Sequence, residues 1–425
     1  MGDAEPSKRI FPPTSGTTFA TERRKFMRWF VPFTLTVFLF LAALPASPAE
    51  AESWCAYPLW VHEWGVQVFD AQGQPTPPVS MPSWFHRSGR GGGASGQPVR
   101  HMPADGGDRE LPVLHFYSSG SMSAPIPVSI EVGFTAGDAS VWYPQVDSHR
   151  SAAHAHLPVS LEQRARLLRQ RQARTPFQPA QGPLPRDWTR QLFWDRLELS
   201  STPVHPTHNS RTPWVDALRE FDRAMWVNGA AESERFVFYE ADTREQVALT
   251  IERGDEWRSG HRHIVLRNRA SHPIHDVVLT HREGQSVYLI HAPSIPAGRS
   301  AGFVLDDHPL GSVSGRDVLR ASLVDTSQPT PPTTHTWNGD ECTMMRDPAI
   351  PVEIAEGHRL YAAEVEAILN IWAPTMFDQA GTTVTYREDV AYLDAMMPLS
   401  IYTDMYNFVL LRRAGLAVWS NVLLP

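Results

Sequence analysis

The sequence reads as a mainly β protein: an antiparallel β-sandwich, Ig-like or jelly-roll-like, followed by a smaller α+β C-terminal unit. Three observations carry that expectation. Short apolar runs with strand alternation recur every eight to fifteen residues in two series. The 37 prolines, 27 glycines and 14 tryptophans of the 425-residue chain fit a loop-rich β protein with large aromatic packing residues, and turn residues separate the runs. Helical periodicity is sustained near the C-terminus, and one shorter helical stretch interrupts the two strand series.

In chain order, residues 1–51 read as an export signal. Arg23-Arg24-Lys25 precedes an apolar run from Trp29 to Leu44, and Ala49-Glu50-Ala51 supplies small residues for cleavage. The apolar run is shorter than the ~20 residues that span a bilayer comfortably. The alternative is an uncleaved inner-membrane anchor over residues 29–44. The Arg23-Arg24 pair also resembles a twin-arginine signal, whose cargo crosses the membrane folded. The sequence thus points to a periplasmic or secreted protein that meets the membrane only through this segment.

Residues 52–310 are expected to hold the sandwich. A strand opens it at 55–70, ahead of a turn at Asp70-Ala71-Gln72-Gly73. The loop 88–108 contains Gly91, Gly93 and Gly96 in GxGxxG spacing, but no strand precedes it and no helix follows, which argues against a dinucleotide site. Strands follow at 111–118, 126–134 and 139–146. An insertion at 147–190 carries one helix, with Ser160 and Gln163 as a capping box. The second strand series occupies 235–242, 246–255, 261–270, 274–284, 286–295 and 299–307. A Pro/Thr-rich linker lies within 311–345 and separates the unit 346–425. There Val365, Ile368, Leu369 and Trp372 give a helix that Pro374 limits. A strand at 383–386, a helix at 389–396 and a hairpin around Ala414-Gly415 complete the reading.

Composition excludes several chemistries. Lysine occurs only at Lys8 and Lys25, so everything beyond Ala51 lacks the residue needed for a Schiff base, a Ser-Lys dyad or a phosphate-loop lysine. No GxSxG elbow is present. Setting aside the six basic and four acidic residues up to Ala51 takes the formal charge from −8 to −10. An acidic chain is a poor partner for nucleic acid, because neutralising phosphates supplies most of that affinity. Cys55 and Cys342 are the only cysteines, and in an oxidising compartment they are expected to form one disulfide.

The candidate site begins at "WVHEWGVQVFD", residues 60–70, where His62 and Glu63 are adjacent. On a strand, neighbouring side chains point to opposite faces. Trp60, His62, Trp64, Val66 and Val68 then share one face, and Glu63, Gln67 and Phe69 the other. The two polar groups diverge, His62 as a hydrogen-bonded core histidine, and truncation of Glu63 is expected to be mild. A zinc-protease motif would need histidine at position 66, which is valine. His261 and His263 have the i, i+2 spacing of paired metal ligands on a strand, with no third ligand evident. Asp394 is a further acidic candidate, and no cofactor is indicated.

"VHEWG", "VLHFYS", "VWYPQ", "ERFVFYE" and "YLDAMMPLSI" together resemble a family of uncharacterised bacterial exported proteins with a His-Glu-Trp-Gly motif near the mature N-terminus. The resemblance implies His62, Glu63, Trp64, Gly65, Trp142, Tyr143, Pro144 and Asp394 as signature positions, without an activity. Family members continue the motif with Thr-Phe-Thr where this chain has Val66-Gln67-Val68. The functional expectation is a binding or structural module of the cell envelope, with an envelope polymer or protein as partner. The alternative is a metal-assisted or carboxylate-based hydrolase acting on an extracytoplasmic polymer.

Overall fold

The computed structural model describes residues 57–76, 81–88, 108–118, 125–135, 137–150, 190–210, 212–243, 246–254, 263–284, 286–305, 314–331, 357–403 and 407–424. Outside them lie residues 1–56 with the expected export signal, most of the 147–190 insertion, both cysteines, His261 and residues 332–345 of the expected linker. Within that expected linker, residues Gly315–Leu323 form a helix, because Ser314 caps an amphipathic run ahead of the prolines.

The structure is mainly β, as expected. Nine strands form one sheet in the order β14-β13-β16-β18-β1-β3-β10-β5-β2. They are β1 (Tyr57–Phe69), β2 (His86–Arg87), β3 (Asp108–Ser118), β5 (Asp138–Tyr143), β10 (Val237–Asp242), β13 (Ile274–Glu283), β14 (Ser286–Ile295), β16 (Gly381–Glu388) and β18 (Asn407–Val422). A second sheet contains β4 (Ile126–Gly133), β6 (Ser148–Arg150), β7 (Gln191–Ser200), β8 (Trp226–Asn228), β9 (Ser233–Glu234) and β17 (Leu399–Thr403). A third joins β11 (Leu249–Arg253), β12 (His263–Asn268) and β15 (Ser300–Val304). Four helices are described: α1 (Pro213–Arg219), α2 (Gly315–Leu323), α3 (Ala362–Phe377) and α4 (Val390–Met396).

The C-terminal residues hold the expected mixture of helix and strand, but their strands do not stand apart. β16 and β18 are inner strands of the nine-stranded sheet, and β17 pairs with β4 of the second sheet. The described residues all belong to one compact unit. The hairpin expected at Ala414-Gly415 is instead the middle of a 16-residue strand. Its buried run continues through that point, and β18 runs parallel to β1 in unbroken register from Tyr57↔Asn407 to Phe69↔Trp419. The motif His62-Glu63-Trp64-Gly65 therefore lies residue for residue beside Arg412-Arg413-Ala414-Gly415.

Both faces of the large sheet are covered, which places its middle strands in the deepest part of the fold. On one face Trp60, Trp64, Val66 and Val68 of β1 pack with Trp214 of α1, Leu319 and Leu323 of α2, and the apolar stripe of α3. On the other, Leu59 and Val61 pack against β4 and β7 of the second sheet. Phe69 enters a third cluster with β11, β12 and β13. Alternation along β1 is the expected one, but here each side of the strand meets protein.

Candidate functional site

Polar groups collect on both faces of the β1–β18 pair, and strand periodicity sorts them. On the helix-covered face, His62 of β1 stands directly across from His115 of β3. Glu364 reaches them from the first turn of α3, where its Oε2 accepts the Tyr361 backbone N–H at 3.0 Å and so caps the helix. The same oxygen accepts from His62 Nδ1 at 2.6 Å, which assigns the proton to Nδ1. His115 Nδ1 lies 3.7 Å from Glu364 Oε1. The His62 ring packs 4.4 Å from Tyr361 and 5.5 Å from Tyr117, centroid to centroid. His62, His115 and Glu364 have no solvent exposure.

Electrostatics follows from that burial. Desolvation works to raise the Glu364 pKa, but the charge and hydrogen bond of His62, with His115 and the Tyr361 N–H, hold it below its usual value. Desolvation pushes His115 down to about 4 despite the attraction of Glu364, so this imidazole is neutral at neutral pH. Burial first, and Glu364 second, lift the phenols of Tyr117 and Tyr361 above their ordinary range. Beside this group Arg412 pairs with Asp325 at 2.8 Å, both nearly inaccessible.

The opposite face carries a different arrangement. Glu63 accepts hydrogen bonds from Arg413 Nε and the Tyr239 hydroxyl. Arg413 Nη2 also donates to Glu63 Oε1 at 3.1 Å, giving the two-pronged geometry that suits a guanidinium and a carboxylate. Its Nη1 reaches Asp394 Oδ1 of α4 at 2.8 Å. Burial would lower the Arg413 pKa, yet Glu63, Tyr239 and Asp394 raise it overall. Glu63 is only 4% exposed, whereas the Asp394 side chain is 52% exposed. The expected mildness of Glu63 truncation does not fit this environment, because Glu63 is buried and its loss would leave the Arg413 charge without its main partner.

His62 and Glu63 are thus placed on separate faces, as the strand reading required. Glu63 and Asp394 do converge, but on Arg413. The recess beside them, bounded by Trp64, Gly65, Pro112, Leu393 and Gly415, measures about 10 Å³. That is no more than a water molecule occupies and leaves no room for a polymer. Close packing explains Gly415: a Cβ there would lie 2.8 Å from Glu388 Oε2 and 2.9 Å from Leu393 Cδ2.

No protein-family model matches this chain, and no curated protein matches it.

Trp142 and Tyr143 repeat the two-faced pattern. Trp142 enters the core under the second sheet, and Tyr143 enters the core on the helix side. Tyr143 stacks on Phe85 at 5.2 Å, and the Tyr143–Pro144 bond is cis. The Pro144 carbonyl accepts Trp194 Nε1–H at 2.8 Å. His263 lies on β12 opposite Val304. Its proposed companion, His261, is outside the described residues, as is the Cys55–Cys342 pair. Among the described residues, no group of three or more His, Cys, Asp or Glu side chains is arranged to hold a metal ion. No described helix is long and apolar enough to cross a membrane.

Sequence reasoning missed His115, Glu364, Tyr239, Arg412 and Arg413. One signal was present for the last two. Consecutive arginines inside the apolar run "FVLLRRAGLAVW" (408–419) must each find an anion once the run becomes a strand with both sides buried.

Proposed function

We propose that this chain is an exported binding module of the cell envelope, and that its His-Glu-Trp-Gly segment is the internal junction of the fold. The observation that carries this reading is the divergence of His62 and Glu63. Each is committed to a buried partner from the last quarter of the chain, His62 to Glu364 and Glu63 to Arg413. A general acid or base must come within hydrogen-bond reach of the proton it moves. With no exposure at His62 and a recess of about 10 Å³ beside Glu63, neither group is offered to a polymer substrate. The N-terminal segment supplies the address, and the acidic composition disfavours nucleic acid as the partner.

The test is fractionation of cells expressing the full chain, followed by incubation of the purified protein with isolated cell walls. The expected result is recovery in the envelope fraction, saturable retention on walls or envelope proteins, and no release of soluble wall fragments. Fragment release that vanishes in His62→Gln or Glu63→Gln, with the variants still folded, would overturn the reading in favour of a hydrolase.

A further inference from the structure

We infer that the recess between the turn after β1, the start of β11, the β12–β13 connection, the end of β16 and α4 is a binding site for a hydroxyl-rich saccharide chain. The inference rests on the binding-module reading and gives it a place and a ligand class. The recess has a volume of about 440 Å³, within the range of small-molecule sites.

Its walls are held rigidly. At one end Asp70 Oδ1 accepts the backbone N–H groups of Gln72 and Gln74, each at 2.9 Å. Gly73 sits in this turn at φ 74°, and a Cβ there would lie 2.6 Å from Val247 Cγ1, so the turn rests directly on the segment that leads into β11. At the other end the buried Asn268 ties its own loop. Its Nδ2 donates to the carbonyls of His272 and Ile295 at 2.9 and 3.0 Å, and its Oδ1 accepts the Ala270 N–H at 2.9 Å. The Tyr386 hydroxyl accepts the Ala248 N–H at 3.0 Å and fixes the floor. A site built on elements locked in this way loses little conformational freedom when it binds.

The chemistry of the lining selects the ligand. His272 and Tyr392 stack with ring centroids 3.6 Å apart and planes 16° from parallel, forming one aromatic wall. The electron-rich face of such a ring suits the apolar C–H face of a pyranose. Around it stand the exposed amides of Gln72, Gln74 and Gln246. Each amide both donates and accepts, as each sugar hydroxyl does. Arg269 at the rim and Glu388 at the floor oppose each other in charge, so the site selects neither a strong anion nor a strong cation. A lipid-like ligand would leave those polar groups unpaired.

The experiment titrates the purified full chain with cellohexaose, chitohexaose and enzymatically released peptidoglycan disaccharide-peptides, by calorimetry and ligand-observed NMR. The expected result is binding of at least one probe, weakened about tenfold or more by Tyr392→Ala, roughly the contribution of one stacking aromatic. The exposed double variant Gln72→Ala/Gln246→Ala should weaken it as well, and it carries the test if Tyr392→Ala fails to fold. Arg320→Ala, on the α2 surface, should bind as the unaltered protein does. Equal binding by the recess variants would overturn the site. Retention on cell walls with no affinity for any saccharide probe would overturn the ligand class and leave the binding-module reading standing. Absence of retention on any envelope component would remove that reading itself.

Discussion

The two faces of β1 bury the same kinds of polar group but neutralise them differently. Towards α3, one carboxylate, Glu364, is satisfied by a histidine N–H and by the backbone at a helix N-terminus, and His115 beside it stays uncharged. Towards the second sheet, Glu63 meets a full positive charge on Arg413, which also reaches Asp394. A hydrogen-bonded cluster tolerates the loss of one member better than an ion pair does, because breaking a buried pair strands a charge. The cluster around His115 and Glu364 should therefore respond chiefly to pH and the Glu63–Arg413 pair chiefly to mutation, with the buried Arg412–Asp325 pair beside α3 behaving like the latter.

The largest effect expected is from Arg413→Ala, which leaves Glu63 buried without its counter-charge and should cost about 3–5 kcal/mol in urea unfolding. A cost under ~1 kcal/mol would remove the contrast between the faces. Glu364→Gln keeps the shape but not the charge, and a loss of about 1–3 kcal/mol is expected in the same measurement.

The third prediction concerns acid. The folded-state pKa of His115 is about 4 against an unfolded value of 6.5, so between those values the unfolded chain binds more protons. Stability contributed by the neutral imidazole is complete above pH 6.5 and falls as pH drops towards 4, by about 2 kcal/mol between pH 7.5 and 5. The depressed pKa of Glu364 acts in the same direction at lower pH, its contribution being lost as pH falls through the folded value. Urea midpoints of the unaltered protein and of His115→Gln across that range should converge at low pH. Parallel curves would show that His115 is not the sensor. The smallest effect belongs to the partly exposed α2–α3 network, where Arg320→Ala removes contacts to Glu366 and Asp317. A change below about 1 kcal/mol is expected there.

Much of this architecture is written in local pattern. Alternation along Trp60–Phe69 assigns its faces, and the strands near 111–118, 126–134, 274–284 and 286–295 are legible for the same reason. The Glu364 cap is equally local, three residues beyond Tyr361. What local pattern does not carry is pairing between the chain's ends. Nothing near His62 names Glu364, 302 residues away, and nothing near Glu63 names Arg413, 350 residues away. The parallel β1–β18 register also explains the misread hairpin. Gly415 is small because β18 passes close to Leu393 and Glu388 at that point, and the chain does not turn there. Similarly, the burial of Glu63 is not legible in the sequence, because alternation identifies two sides of a strand without saying what covers each.

In this fold His62 and Glu63 act separately while Glu63 acts with Arg413. Two double-mutant cycles measured by urea unfolding test this most directly, one with Glu63→Gln and Arg413→Gln, the other with His62→Gln and Glu63→Gln. A coupling energy of about 1–3 kcal/mol is expected in the first cycle and additivity within about 0.5 kcal/mol in the second. Strong coupling between His62 and Glu63, with none between Glu63 and Arg413, would contradict that arrangement.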